Sequence, residues 1–194
     1  LSNRRILVTG ANGFIGKNLV MRLNELTNTT VRTFIRGDDM DSLHQLVGQA
    51  DAVVHLAGEN RPADESAFLQ VNVGLTSALC DAIQQEYATT GRYVPLLLAS
   101  STQAERDNPY GRSKFAAEQA ALALSQNTGN PCAVFRLPGV FGKWCRPNYN
   151  SVVATFCHNL ARDLPIQIND PDALVSLVYV DDVVNALIAE LEGP

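Results

Sequence analysis

The chain is predicted to fold as an α/β protein, a doubly wound parallel sheet in three layers with helices on both faces. Three observations predict it. Short apolar runs alternate with amphipathic helical segments from end to end. A Gly10-x-x-Gly13-x-x-Gly16 turn sits between the first run and the first helix. No linker or low-complexity tract interrupts the 194 residues, so one domain over 1–194 is expected, with about six or seven strands.

The elements follow in order. Arg5–Thr9 is a strand, and the helix that follows the glycine turn has Ile15, Leu19, Leu23 and Leu26 on its inner face. Val31–Ile35 is the second strand, a short helix spans Met40–Val47, and Ala52–Ala57 is the third strand. His55 lies inside that apolar run and reads as a packed core histidine. A long helix is expected over Ala67–Glu86, where Asn72, a poor helix former, hints at a buried bonding role. Leu96–Ser101 is a strand, and Asn108-Pro109 hands over to a helix from Tyr110 to Gln126. Cys132–Leu137 is the next strand, ended by Pro138-Gly139. A helix starting within Pro147–Ser151 runs to Asp163; Ile166–Ile168 and Leu174–Val180 read as two short strands. Asp181 or Asp182 then caps the last helix.

Bulk properties narrow the function. Twenty acids against fifteen bases give a net charge of -5, which argues against nucleic acid and anionic membranes as partners. No apolar run approaches the roughly 20 residues of a membrane span. Cys80, Cys132, Cys145 and Cys157 lack metal spacing and read as reduced thiols, so no metal and a cytoplasmic setting are expected. The first residue is not Met and the chain stops soon after a helix, which predicts an N-terminal piece of a longer chain.

Two stretches carry the chemistry. Three glycines between a strand and a helix allow a tight turn, close backbone approach to a pyrophosphate and close helix packing. The helix N-terminus then offers N–H groups and a positive dipole end to the phosphates. Arg36 lies twenty residues past Gly16, where a carboxylate would bind the ribose 2'-OH of NAD; a cation suits a 2'-phosphate. NADP(H) is therefore preferred, with NAD(H) as the alternative because Asp38 and Asp39 are close. The second stretch runs from Ser100 to Lys114. Tyr110 and Lys114 are four apart on one helix face, and a phenol beside an ammonium can exchange protons near neutral pH. Glu59-Asn60-Arg61 leaves the third strand beside the cofactor, and the loop 140–150 holds the only Trp with basic and amide groups, a clamp for a charged, hydroxylated ligand.

Ordered along the chain, these residues resemble the extended short-chain dehydrogenase/reductase family, the nucleotide-sugar branch, which has the Rossmann fold. The resemblance rests on Gly10-x-x-Gly13-x-x-Gly16, His55-Leu-Ala-Gly58, Asn72-Val-x-Gly74, Ser100-Ser101 and Asn108-Pro-Tyr110-Gly-x-Ser-Lys114. Arg136, Phe141-Gly142 and Val178-Tyr-Val-Asp-Asp182 extend it. It implies that Ser101 holds the substrate oxygen and Tyr110 carries the proton, while Lys114 binds the nicotinamide ribose and lowers the Tyr110 pKa. It implies cofactor contacts from Gly10, Asn12, Gly13, Phe14, Ile15, Gly16, Leu56, Ala57, Gly58 and Pro138 besides Arg36 and Lys114. The gap between Arg36 and Asp51 is shorter than in the wider family, which has an extra strand there.

The stretch Phe141–Cys157 is similar to the N-terminal reductase domain of bifunctional capsular-polysaccharide and O-antigen enzymes of the UDP-N-acetyl-L-fucosamine pathway. That similarity implies NADPH-dependent reduction at C4 of a 4-keto-6-deoxy UDP-N-acetylamino sugar, a C-terminal cupin domain beyond this chain, and a homodimer. Asn60, Lys143, Arg146, Asn148 and Asn150 are the candidates for binding the nucleotide sugar. A 4,6-dehydratase would need an acid beside the hydroxyl residue, yet Thr102-Gln103 follows Ser101. An NAD-dependent 4-epimerase and a non-catalytic NADP(H)-binding redox sensor are the remaining alternatives.

Overall fold

The computed structural model describes residues 3–62 and 64–193. Five parallel strands form its central sheet: β1 (Arg4–Thr9), β2 (Thr29–Phe34), β3 (Ala52–His55), β4 (Leu96–Ser101) and β5 (Cys132–Leu137), in the order β2-β1-β3-β4-β5. Every residue of β3 and β4 is buried, as expected of inner strands covered on both faces. On one face, α2 (Asp41–Gln49), α3 (Leu75–Thr90) and α4 (Pro109–Thr128) pack Leu43, Val47, Leu79, Ile83, Ala121 and Leu124 into one core. On the other, α1 (Phe14–Asn24) and α6 (Val180–Glu192) bury Leu19, Leu23, Val184 and Leu187. The three-layer doubly wound fold is as the alternating pattern predicts.

The strand order reverses between β1 and β3, so their carboxyl ends open a crevice at the switch point, the usual ligand position in such sheets. β2 pairs directly with β1, and only α2 separates β2 from β3 in sequence, which accounts for the short gap after Arg36.

Five details differ from the sequence expectation. The sheet does not extend to six or seven strands: β6 (Gly139–Phe141) and β7 (Leu177–Tyr179) form a separate parallel pair. Pro138, with no N–H to donate, ends β5 and releases the chain from the main sheet. Ile166–Ile168 is irregular, with Ile168 63% exposed, and of the Leu174–Val180 run only Leu177–Tyr179 is strand. The expected continuous helix over Ala67–Glu86 opens instead as a π-helical turn, Phe68–Gly74, before α3. Asp181 and Asp182 are not the cap of α6; they lie in its first turn, where they complement the helix dipole. The helix expected from Pro147–Ser151 to Asp163 is shorter, α5 (Val152–Leu160), capped by Ser151 Oγ accepting from the Ala154 N–H. No helix is long and apolar enough to cross a membrane among the described residues.

Candidate active site

The turn after β1 is built by close packing. Gly10 takes φ +70 and a Cβ there would meet Ala57 N at 2.6 Å, so the exit of β3 presses directly on the turn. A Cβ on Gly16 would fall on the Gly10 carbonyl and lie 2.8 Å from Ala11 Cα. Gly13 is the N-cap of α1 and supplies no side chain to its open N–H groups. This donor-rich, side-chain-free cradle at a helix N-terminus fits the pyrophosphate of a dinucleotide. His55, beneath it, bonds Thr9 Oγ1 at 2.6 Å and Thr76 Oγ1 at 2.8 Å. Burial, helped by the Lys114 charge, pulls its pKa down to about 3. It is a neutral core histidine, as its apolar strand predicts.

β4 delivers Ser100 and Ser101 to the same edge, and a 3-10 turn, Thr102–Glu105, follows. Asn108 caps α4 by accepting from the Gly111 N–H at 2.7 Å, and Pro109 occupies the first turn, which sets Tyr110 at the mouth. Tyr110 packs its ring 5.8 Å from Phe68. Asn72, in the π-helical turn, accepts from the Glu59 N–H at 2.7 Å, and donates to the Glu59 carbonyl at 3.1 Å and to Ser113 Oγ at 2.9 Å. Its buried bonding role thus joins the β3 exit to the helix that carries Tyr110 and Lys114, and the wider π turn gives it that reach.

Lys114 is only 8% exposed and donates to the Ala99 carbonyl at 3.0 Å. Burial lowers its pKa to about 8, against the opposing pull of Glu118. Burial also pushes up the Glu118 carboxyl, but Arg136 and Ser100 outweigh it and hold Glu118 below its ordinary value. Arg136 grips Glu118 through Nε at 3.0 Å and Nη2 at 2.7 Å. Tyr110 departs from the sequence expectation: burial raises its pKa, with the Ser101 hydroxyl working the other way. Burial is a property of the packed site, so the i, i+4 spacing could not show it. The phenol is held protonated near neutral pH, the state of a proton donor.

One cleft of about 540 Å³ joins these parts. Ser101, Tyr110 and Lys114 line it, as do Asn12, Phe14, Ile15, Leu56, Gly58 and Pro138. Of the substrate candidates, Asn60, Arg146 and Asn150 line it, whereas Lys143 and Asn148 do not. Lys143 borders a neighbouring hollow with Asn18, Arg22 and Asp181, its carbonyl accepting from Asn18 Nδ2 at 3.0 Å. Asn148 takes φ 54 and gives its N–H to Thr155 Oγ1 at 2.9 Å, a turn that feeds α5. Arg36 is 83% exposed outside the cleft and pairs with Glu59. Lys17, Gln103, Trp144, Cys145 and Tyr149 also line the cleft and are not among the binding candidates that the sequence offers. Lys17, next to Gly16 in the first turn of α1, was the one with a positional signal. Among the described residues no carboxylate lines the cleft, whose cations are Lys17, Lys114 and Arg146. Glu105 is turned away, accepting from Arg136 Nη1 at 2.6 Å.

A glycine turn at the switch point, with a hydroxyl, a phenol and an ammonium in the adjoining cleft, has the shape and donors that suit a dinucleotide and groups able to exchange a proton. The profile of the NAD dependent epimerase/dehydratase family matches residues 6–194, and the chain belongs to that family. It is similar to the UDP-2-acetamido-2,6-beta-L-arabino-hexul-4-ose reductase of Pseudomonas aeruginosa, 50% identical over 189 residues, covering 97% of this chain and 50% of the relative. Among solved structures, the capsular polysaccharide assembling protein CapF from Staphylococcus aureus superposes with TM-score 0.84 at 40% identity, covering 97% of this chain and 50% of CapF. UDP-glucuronic acid 4-epimerase from Bacillus cereus, solved with NAD, shares the fold at TM-score 0.83 and 21% identity, over 97% of this chain and 72% of that one. The chain spans about half the length of the first two.

Proposed function

We propose that this chain reduces the C4 ketone of a 4-keto-6-deoxy UDP-N-acetylamino sugar with NADPH, in the synthesis of a capsular-polysaccharide or O-antigen precursor. The observation that carries it is the composition of the cleft: a protonated Tyr110, three cations and no carboxylate. A protonated phenol is ready to give its proton to a ketone oxygen, whereas a dehydratase needs an additional acid for its leaving group. The cations suit the diphosphate of a nucleotide sugar. The 50% identical relative is itself named a 4-ulose reductase, which supports the same substrate class.

Ser101 orients and polarises the C4 oxygen and Tyr110 protonates it. Lys114, charged below its pKa of about 8, favours negative charge developing on that phenol. The nicotinamide cofactor, when bound, supplies the hydride. Asn12, Phe14, Ile15 and the Gly10–Gly16 cradle hold it, with Leu56, Gly58 and Pro138 as further walls and Ala57 packed behind Gly10. Asn60, Arg146 and Asn150 bind the nucleotide sugar, with the Arg146 guanidinium braced 5.4 Å over the Tyr149 ring. The homodimer and an appended cupin domain are carried in this proposal from the resemblance alone.

The test is NADPH oxidation with a panel of 4-keto-6-deoxy UDP-sugars, products identified by NMR; no oxidation with any member would refute the proposal. The rate should also fall as pH rises through about 8, where Lys114 loses its proton while Tyr110 keeps its own. A pH profile of kcat/KM that stays flat to pH 10 would contradict this role for Lys114. Arg36 gives the preference for NADPH: Arg36→Ala should weaken NADPH binding by about tenfold and leave NADH nearly unchanged. Titration of both cofactors checks it.

A further inference from the structure

Arg36 and Glu59 lie on the segments that leave β2 and β3, and these strands are not neighbours. Each pairs with β1, which runs between them. The Arg36–Glu59 ion pair therefore reaches across the carboxyl end of β1, where the Gly10–Gly16 turn begins. The two partners are held unequally. Glu59 has both its backbone N–H and its carbonyl bonded to the Asn72 amide, at 2.7 and 3.1 Å, and its side chain is only 18% exposed. The Arg36 side chain is 83% exposed. Glu59 is the better-held residue of the pair, by its backbone bonds and its burial.

We propose that Glu59 is a specificity-determining residue for the dinucleotide: a fixed counter-ion that competes with a ribose 2'-phosphate for Arg36 and offers an acceptor to a ribose 2'-hydroxyl. The proposal deepens the NADPH reading and rests on its placement of the adenosine ribose beside Arg36. A 2'-phosphate must displace the Glu59 carboxylate from the guanidinium and then lie near its negative charge. A 2'-hydroxyl can donate to Glu59 with Arg36 still in place. Because Arg36 is so exposed, the pair is weak and a phosphate can displace it. Glu59 thus narrows the preference that Arg36 creates without reversing it. Were the pair only a tie between two loops, neutralising Glu59 would change both cofactor affinities together.

The experiment is a fluorescence titration of NADPH and NADH against the wild type, Glu59→Gln, Arg36→Ala and the double variant. Gln has the shape of Glu and keeps a hydrogen bond to Arg36, so only the charge is removed. Glu59→Gln is expected to tighten NADPH about fivefold and not to tighten NADH. In the Arg36→Ala background the gain should shrink to about twofold or less, because the competed group is gone. Equal changes for both cofactors, or an unchanged NADPH-to-NADH ratio, would overturn the role of Glu59. A wild type that prefers NADH would instead overturn the NADPH reading alone, with Glu59→Gln still expected to move the ratio toward NADPH.

Discussion

Tyr110→Phe is expected to lower kcat by about a thousandfold, within the usual range for removing a positioned proton donor. It should leave NADPH affinity within about twofold. The ring keeps its packing against Phe68 at 5.8 Å, and Asn108 still caps α4 through the Gly111 N–H. The only loss is the hydroxyl that interacts with Ser101 at the cleft mouth. Steady-state kinetics beside a cofactor titration reads both quantities. Turnover within threefold of wild type would remove Tyr110 from the chemistry. The same pair of measurements separates an enzyme from a redox sensor, which would bind NADP(H) and show no turnover in either protein.

Gly111→Ala is expected to have the largest effect on stability. A Cβ at this position would fall on the carbonyl oxygens of Gln103 and Arg106, backbone atoms that cannot rotate aside. The N-terminus of α4 is pressed this closely onto the 3-10 turn because Asn108 caps the helix here and Arg106 turns back through its N–H to the Gln103 carbonyl at 2.9 Å. A methyl group must push the helix and the turn apart, costing about 3 kcal/mol. For a chain of this size that is a fall in Tm of roughly 6–12 °C. Since Ser101 and Tyr110 sit on the two separated pieces, kcat should fall more steeply than Tm alone explains. Thermal unfolding and kinetics on the same preparation check both effects; an unchanged Tm would show that the contact relaxes.

The parts of the site legible in the sequence are those set by short-range rules. Gly10, Gly13 and Gly16 stand between a strand and a helix, and that context alone points to a phosphate cradle. Asn108-Pro109 announces the start of α4, and His55 in an apolar run announces its own burial. What stayed hidden depends on packing between distant segments. Glu59 meets Arg36 only because β1 lies between their strands, an arrangement no local spacing encodes. The raised pKa of Tyr110 comes first from burial, which overrides the charge argument drawn from Lys114 four residues on. The position of Lys143 is likewise set by a distant segment. The Asn18 amide on α1 ties the Lys143 carbonyl at 3.0 Å and places that residue at the neighbouring hollow, leaving Trp144, Cys145 and Arg146 to the cleft. Ile166–Ile168 has the composition of a strand but pairs with neither sheet among the described residues.

The most direct test of the reductase proposal follows the hydrogen that arrives at C4. The protein is incubated with a 4-keto-6-deoxy UDP-N-acetylamino sugar and NADPH carrying deuterium at its transferable position, and the product is read by NMR. One deuterium at C4 of the sugar is expected for every cofactor oxidised. Inversion at C4 of the matching 4-hydroxy UDP-sugar, with no net cofactor oxidation, would identify an epimerase, and an unreacted ketone with cofactor still bound would leave only a binding protein.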